Sequence, residues 1–291
     1  MNNSADKIIV GTAQFGLDYG VSNTKGKTEE CEVNRILDYL GYSGVKYLDT
    51  APAYGDSHRI ISNYLKNNNV FKVNTKISSI NNTDIKSIIK EVHESLELFN
   101  GNISCLSFHD VNDFTNKHYD KVIEEVECLK RKGYINKVGV SIYDENQLDN
   151  VINKMDVDVV QVPFNIYDQR LIGSKRIIEL SCRGTEIHAR SIFLQGLILM
   201  ELEHIPSKLS SMKTQQESLI LYSRELNKSV YELCLSWVFQ QNWIDKIVVG
   251  LNDLSQSKKL IKSISGSLSK DLDLKKYSIS EPLIINPVNW S

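Results

Sequence analysis

The sequence predicts a closed (β/α)₈ barrel, in which eight parallel strands form the barrel and helices surround it. Short runs rich in β-branched and aromatic residues alternate with amphipathic helical patterns along most of the 291 residues. Eight such strand–helix units fit into about 260 residues, the usual size of this barrel. The main alternative, an open doubly wound sheet, normally begins with a glycine-rich nucleotide-binding turn. No G-x-G-x-x-G pattern follows the first run, so the closed barrel is favoured.

Eight runs of apolar residues are predicted to be the strands. They cover residues 7–15, 46–51, 72–77, 103–110, 137–142, 157–165, 186–193 and 246–250. Because all strands of such a barrel run in the same direction, their carboxyl ends lie at one rim, where the active site is found.

Helical patterns lie between these runs. In residues 83–99 apolar side chains recur every three or four positions behind Thr83, a suitable N-cap. Residues 120–133 end on Gly133, a suitable C-cap. Residues 230–241 are apolar on most faces, which predicts a buried helix.

We expect one domain over residues 1–291, with the barrel core at about 7–264 and a C-terminal tail at 265–291. Residues 201–227 are an insertion between the seventh strand and its helix. The insertion and the tail are natural places for substrate specificity.

Composition and charge exclude several classes of partner. The formal net charge is −2, so nucleic acid and anionic membranes are not expected. Asp6 and Lys7 interrupt the only stretch that could begin a signal peptide, and residues 192–200 form an apolar run too short for a membrane span. Five scattered cysteines without a C-x-x-C pair indicate reduced thiols, and no metal-ligand spacing is present. We expect a cytoplasmic protein without a metal.

Four polar side chains lie near the carboxyl ends of three successive predicted strands. Asp49 and Tyr54 follow the second strand, Lys76 lies near the end of the third, and His109 near the end of the fourth. A phenol has a pKa near 10, but a nearby ammonium favours the phenolate, and a buried carboxylate can position that ammonium. Such a set supplies a proton and polarises a carbonyl group, and hydride from a nicotinamide would complete a reduction.

The same motifs resemble the aldo-keto reductase family. The resemblance covers roughly residues 7–264, in family order. The matching pieces are GTAQFG (11–16), LDTAPAYG (48–55), TKI (75–77), LSFHD (106–110), GVSIYD (139–144), VQVPFN (160–165), ARSIFLQGLIL (189–199) and VVGLNDLSQ (248–256).

The resemblance implies a reductase of aldehydes or ketones that binds NADPH or NADH in an extended pose, without a Rossmann domain. It implies that Tyr54 is the general acid, that Lys76 and Asp49 tune it, and that His109 orients the carbonyl group. The implied cofactor-binding residues are Gly11, Thr12, Ser141, Gln161, Arg190, Ser191, Phe193, Gln195, Gly196, Gly250, Asn252 and Gln256.

Within that set, Ser141 and Gln161 match positions that hydrogen-bond the nicotinamide carboxamide. Arg190 stands where many relatives stack an aromatic ring on the nicotinamide. Its planar guanidinium could stack there or contact the pyrophosphate.

The chain departs from the family pattern at two places. Ile142 replaces the asparagine that often follows Ser141. The segment at 250–259 lacks the lysine–serine pair that many relatives use for the 2′-phosphate, although Lys258 or Lys259 could replace it if it faces the cofactor. We expect NADPH rather than NADH, with NADH as the alternative.

The mouth of the site is expected to be polar. Family members that reduce apolar carbonyls carry tryptophans where this chain has Ala13 and Asp110, which favours a hydroxylated substrate such as a sugar or keto-sugar, with or without a linked nucleotide. Residues that could extend this polarity are Asp18, Tyr19, Asp113, Asn165, Tyr167 and Arg170, and His58 and Arg59 are near enough to touch substrate.

Two other functions are compatible with the pattern. Lys76 at a strand end could form a Schiff base, as in an aldolase. The chain could also be a regulatory subunit that binds the cofactor with little turnover.

Overall fold

The computed structural model describes residues 4–79, 84–266 and 272–290. It confirms the closed barrel: the strands are ordered β1 to β8 around the barrel, and each pair of neighbours is parallel. The strands are β1 (Ile8–Gly11), β2 (Tyr47–Asp49), β3 (Lys72–Ile77), β4 (Ile103–Phe108), β5 (Lys137–Ser141), β6 (Val159–Pro163), β7 (Glu186–Arg190) and β8 (Lys246–Gly250).

Helices lie between the strands and after the last one. They are α1 (Ala13–Gly16), α2 (Glu30–Tyr42), α3 (Ser57–Leu65), α4 (Ile85–Phe99), α5 (Asp120–Arg131), α6 (Asp149–Ile152), α7 (Lys175–Cys182), α8 (Lys213–Glu225), α9 (Val230–Phe239), α10 (Leu254–Ser265) and α11 (Pro282–Ile285). Short 3₁₀ segments cover Ser4–Lys7, Val111–Thr115, Lys117–Tyr119, Glu145–Leu148, Leu194–Leu199, Leu202–His204, Ser207–Met212, Lys275–Tyr277 and Pro287–Trp290.

The first predicted strand is too long. β1 ends at Gly11, and the chain then turns into α1 because Phe15 N–H donates to the Thr12 carbonyl oxygen at 3.0 Å. Ala13 and Phe15 are buried, and their spacing of two residues is also typical of a strand, which explains the overlong prediction. The predicted sixth and seventh strands overrun in the same way, since β6 ends at 163 and β7 at 190.

The predicted helix boundaries are close to the observed ones. Asp84 caps α4, where its carboxylate accepts hydrogen bonds from two backbone N–H groups, and the predicted cap Thr83 lies outside the described residues. Gly133 follows α5 with φ +77°, a conformation that glycine adopts without strain. The predicted buried helix is α9, which ends at Phe239.

The alternation of side chains along each strand separates the core from the site. In β3, Val73 and Ile77 join the apolar layer beneath the helices, whereas Asn74 and Lys76 face the barrel interior. The strand register aligns the carboxyl ends: Gly11 pairs with Asp49 across β1 and β2 and with Gly250 across β1 and β8. The ends of the strands therefore present their side chains to a common rim.

The insertion and the tail both support this rim. Gln216 of α8 donates hydrogen bonds to the carbonyl oxygens of Ile198 and Met200, at 2.8 and 3.1 Å. In the tail, Pro287 and Val288 reach the mouth of the barrel. Among the described residues between 201 and 227, none lines the central cavity, so the insertion supports the wall without forming it.

Candidate active site

A cavity of about 580 Å³ opens at the carboxyl rim of the barrel. All four predicted catalytic residues and all twelve predicted cofactor-binding residues line it. Its size is within the usual range for small-molecule and cofactor sites.

Asp49 and Lys76 form a buried ion pair at the floor of this cavity. The Lys76 ammonium lies 2.5 Å from Asp49 Oδ1 and also donates to the Thr50 carbonyl oxygen at 3.2 Å. Only 3 % of Lys76 is exposed. Asp49 Oδ2 accepts a second bond, from Gln161 Nε2 at 2.8 Å, so both carboxylate oxygens have partners.

Tyr54 and His109 lie above this pair. The Lys76 ammonium is 5.2 Å from the centroid of the Tyr54 ring. The Tyr54 and His109 rings meet edge to face, with their centroids 6.2 Å apart. A substrate atom between the two rings can therefore contact both side chains.

Burial and charge fix the protonation of two of these groups. Burial alone would lower the pKa of Lys76, but Asp49 and Tyr54 outweigh it and the pKa is raised, so the ammonium persists at neutral pH. Burial, with the charges of Lys76 and Arg190, lowers the pKa of His109 to about 4. The imidazole is therefore neutral at neutral pH and has one N–H to donate.

The loop after β7 has a strained backbone beside the cavity. Ser191, Leu194, Gln195 and Gly196 have φ values of +57°, +49°, +53° and +87°. Three of these are not glycine, and strain of this kind persists mainly at functional sites. The N–H groups of Leu194 and Gly196 donate to the carbonyl oxygens of Ser191 and Phe193, at 2.8 and 2.9 Å, so of these four residues Ser191 and Gln195 keep a backbone N–H for a ligand.

The far end of the cavity has the polar groups that an adenosine phosphate needs. Asn252 Nδ2 is buried and has no partner among the described residues. Lys259 lies 4.4 Å above the Tyr231 ring, which stacks on Phe193 with centroids 4.8 Å apart. An unpaired amide, a cation and two stacked rings fit a nucleotide, so the residues present fit the cofactor expected from the sequence.

Comparison with known proteins supports this fit. A sequence model of the aldo/keto reductase family matches residues 7–273. The chain belongs to this family. It is therefore an oxidoreductase for small-molecule carbonyl compounds, in a family that generally uses nicotinamide cofactors.

Solved aldo-keto reductase structures share the fold. An aldo-keto reductase from Bacillus halodurans in its holo form has a TM-score of 0.72 and 18% identity, covering 93% of this chain and 89% of that one. The glycerol dehydrogenase of Gluconobacter oxydans has a TM-score of 0.64 and 19% identity, covering 89% and 90%. The search of curated proteins gave no match.

Some cofactor-side residues of this aldo-keto reductase are already bonded within the protein. The Thr12 hydroxyl donates to the Asp49 carbonyl oxygen at 2.9 Å and accepts from Ser57, so it ties β1 to β2. Gln256 Oε1 accepts from Asn252 N–H at 2.8 Å. Of the two candidate lysines, Lys259 lines the cavity and Lys258 does not.

Several expected substrate contacts are absent from the cavity wall. Asp110 caps the 3₁₀ segment Val111–Thr115 by accepting from Asn112 N–H at 2.9 Å. His58 bonds Thr75 and packs on Phe99. Of the other expected polar residues only Tyr19 lines the wall; those that do not are Asp18, Arg59, Asp113, Asn165, Tyr167 and Arg170.

Sequence reasoning missed part of the wall. Tyr143 follows β5, Tyr231 occupies the first turn of α9, and Ser22 belongs to the loop after α1. Tyr143 and Tyr231 carried a usable signal, since residues just after a strand or at the start of the next helix lie at the carboxyl rim. Nothing local in the sequence indicates that Ser22 or Val288 folds back over the mouth.

No helix among the described residues is long and apolar enough to cross a membrane. The described residues also contain no cluster of three potential metal ligands.

Proposed function

We propose that this protein reduces an aldehyde or ketone with NADPH, and that Tyr54 is the general acid. The observation that carries the proposal is the Lys76 ammonium, 2.5 Å from Asp49 and 5.2 Å from the Tyr54 ring centroid, in a cavity that also contains a neutral His109. A charged lysine beside a phenol stabilises the phenolate that proton donation leaves.

Each side chain has a separate role in the proposed reaction. A dihydronicotinamide held in this cavity would supply hydride to the carbonyl carbon. Tyr54 gives its proton to the carbonyl oxygen, and His109 orients that oxygen by donating its N–H. Lys76 stabilises the resulting phenolate, and Asp49 fixes the ammonium through a bond of 2.5 Å.

The cofactor would lie along the cavity from β5 and β6 to α10. Ser141 and the free Oε1 of Gln161 would bind the carboxamide, because Gln161 uses its Nε2 on Asp49. The loop after β7 would bind the pyrophosphate, and the free amide of Asn252 would bind the adenosine end. Lys259 would contact the 2′-phosphate, which favours NADPH over NADH.

We infer that the substrate is a hydroxylated carbonyl compound, such as a sugar or keto-sugar. Ala13 leaves space at the mouth, and Tyr19 and Tyr143 supply polar groups there. That a solved structure of the same fold is a glycerol dehydrogenase supports a polyhydroxylated substrate.

Lys76 is poorly suited to Schiff-base chemistry. An amine attacks a carbonyl group only through its free lone pair, and the raised pKa together with the Asp49 contact keeps this amine protonated.

The test is oxidation of NADPH over a panel of aldoses, ketoses and simple aldehydes, followed by absorbance. We expect the wild-type protein to turn over hydroxylated substrates and Tyr54→Phe to lose that activity while it still binds NADPH. Tight NADPH binding without turnover of any carbonyl compound would contradict the proposal and favour a regulatory subunit.

A further inference from the structure

Two cations in the cavity wall, Arg190 and Lys259, form no ion pair within the described residues. Asp49 is the only acidic residue among the described residues that line the cavity, and its oxygens are taken by Lys76 and Gln161. Lys259 is exposed to solvent, whereas Arg190 is partly buried. A partly buried cation is costly unless an anion compensates it, so Arg190 is the candidate anion site.

Arg190 is fixed in one orientation at the end of β7. Its Nη2 donates to the Ile142 carbonyl oxygen at 3.2 Å, and the guanidinium carbon lies 4.5 Å from the centroid of the Tyr143 ring. Nε is buried and has no partner among the described residues. Arg190 Nη1 also donates to the Ser191 hydroxyl at 3.4 Å. Stacking and two hydrogen bonds orient the guanidinium across the mouth, and its remaining N–H groups are left for a ligand.

This guanidinium lies at the reacting end of the cavity. Its charge is one of the causes that lower the pKa of His109, after burial and Lys76, and it also acts on Tyr19. An anion on Arg190 would therefore lie near the carbonyl group that His109 and Tyr54 contact.

The phosphates of the cofactor have other partners. Lys259 and the Asn252 amide lie at the α10 end, and Ser191 and Gln195 in the loop after β7 keep backbone N–H groups for the pyrophosphate. The charge of Arg190 remains available for the substrate.

We propose that Arg190 binds an anionic group, a carboxylate or a phosphate, on the hydroxylated carbonyl substrate. The substrate class is then sugar acids and sugar phosphates rather than neutral sugars. This inference rests on the proposed function of the cavity.

Matched substrate pairs test it. D-glucuronate is compared with D-glucose, and D-glyceraldehyde 3-phosphate with D-glyceraldehyde, so that one pair reports on a carboxylate and the other on a phosphate. We expect the wild-type protein to favour the anion by about tenfold or more in kcat/KM in at least one pair. Arg190→Gln should lower that ratio by roughly tenfold to a hundredfold, the usual effect of removing a charged hydrogen bond.

Two further variants test whether the preference for the anion depends on the guanidinium of Arg190 or on positive charge in general. Arg190→Lys keeps the charge but not the planar fork, so it should restore part of the ratio. Lys259→Gln removes the other unpaired cation and should leave the ratio at its wild-type value. If a substitution lowers kcat/KM equally for the anionic and the neutral substrate of a pair, the ratio of the two values does not change.

A binding measurement separates this inference from the proposed function. D-glucuronate, D-glucose, D-glyceraldehyde 3-phosphate and D-glyceraldehyde are titrated calorimetrically into the NADPH complexes of wild type and Arg190→Gln. Arg190-dependent preference for the anion without turnover would contradict the proposed reaction but support the anion site. Equal binding and equal kcat/KM of anionic and neutral compounds would overturn the inference, and so would an Arg190→Gln variant that weakens NADPH and leaves the ratios unchanged.

Discussion

Individual side chains in the cavity act through charge and protonation more than through shape. Lys76 is charged because Asp49 compensates its burial, and His109 is neutral because burial and two cations oppose its protonation. The same three strand ends thus present an ammonium and a neutral imidazole side by side. That pairing is what the proposed reduction needs.

Replacement of Tyr54 tests the proposed acid. Tyr54→Phe removes one oxygen, so kcat/KM should fall roughly 10²- to 10⁴-fold, the usual contribution of a general acid, with NADPH affinity preserved. Lys76→Met should cause a similar loss, because the phenolate loses its stabilising charge. The kcat/KM of the double variant should be only slightly lower than that of either single variant, because both substitutions impair the same proton transfer.

The control for this series concerns folding. Lys76→Met leaves the buried Asp49 charge unpaired, which destabilises the protein, so the pair Asp49→Asn, Lys76→Met serves as a version with no buried charge. Circular dichroism and NADPH fluorescence titration verify fold and binding. Near-normal turnover in Tyr54→Phe would show that Tyr54 is not the acid.

Lys259 and Lys258 form a natural matched pair for cofactor preference. Lys259 lines the cavity, and its neighbour Lys258 is exposed outside it. We expect Lys259→Met to weaken NADPH about tenfold and to leave NADH nearly unchanged, because only NADPH carries the 2′-phosphate. Lys258→Met should leave both dissociation constants near wild type. Equal effects of the two substitutions would contradict the assignment.

At the scale of elements, two loops meet over the cavity. Ser22 Oγ, after α1, donates to the Gln195 carbonyl oxygen after β7 at 3.3 Å, and Gln195 Nε2 donates to the Tyr19 hydroxyl at 3.1 Å. Lys25 forms an ion pair of 2.6 Å with Asp253 beside α10. The loop after α1 therefore touches both the loop after β7 and the start of α10.

Gly196 allows this close approach. A Cβ at this position would lie 1.7 Å from Ser22 Oγ, and the residue has φ +87°. Gly196→Ala should separate the loops and raise the NADPH dissociation constant about tenfold or more. Combining it with Ser22→Gly should recover most of that loss, because the remaining cost is the positive φ, about 1 kcal/mol. Ser22→Gly alone is the baseline, and a double variant that binds NADPH no better than Gly196→Ala alone would contradict a steric cause.

The contact between these loops could not be predicted from the sequence. Strands and helices follow from periodic apolar patterns, and the four catalytic candidates follow from their places near strand ends. The twelve cofactor-binding candidates follow from the family resemblance, and all sixteen residues line the cavity. The contact of Ser22 with Gln195 joins residues 173 positions apart, and no local pattern encodes it. Asp110 was misplaced because a carboxylate after a strand serves equally well as a cap or as a pocket wall.

For the whole molecule, two partly buried histidines link the protonation of the barrel to its stability. His109 lies in the cavity, and His58 lies in α3, where it bonds Thr75 Oγ1 at 2.9 Å and meets the Phe99 ring edge to face. Burial, with the charge of Lys76, lowers the pKa of both imidazoles from 6.5 to about 4. Folding therefore keeps two groups neutral that the unfolded chain would protonate in mild acid.

Stability should consequently fall as the pH drops from about 6.5 to about 4. In that window the unfolded chain binds protons at both histidines and the folded protein does not, so acid favours the unfolded state. Each histidine should contribute on the order of 1–3 kcal/mol to the free energy of unfolding across this pH range.

The measurement is urea unfolding at a series of pH values for wild type, His58→Gln, His109→Gln and the double variant. Carboxylates titrate equally in all four proteins, so the differences isolate the histidines. We expect each substitution to flatten the pH dependence and the double variant to flatten it most. If all four proteins lose the same free energy of unfolding between those pH values, the two imidazoles are not the groups that carry the acid sensitivity.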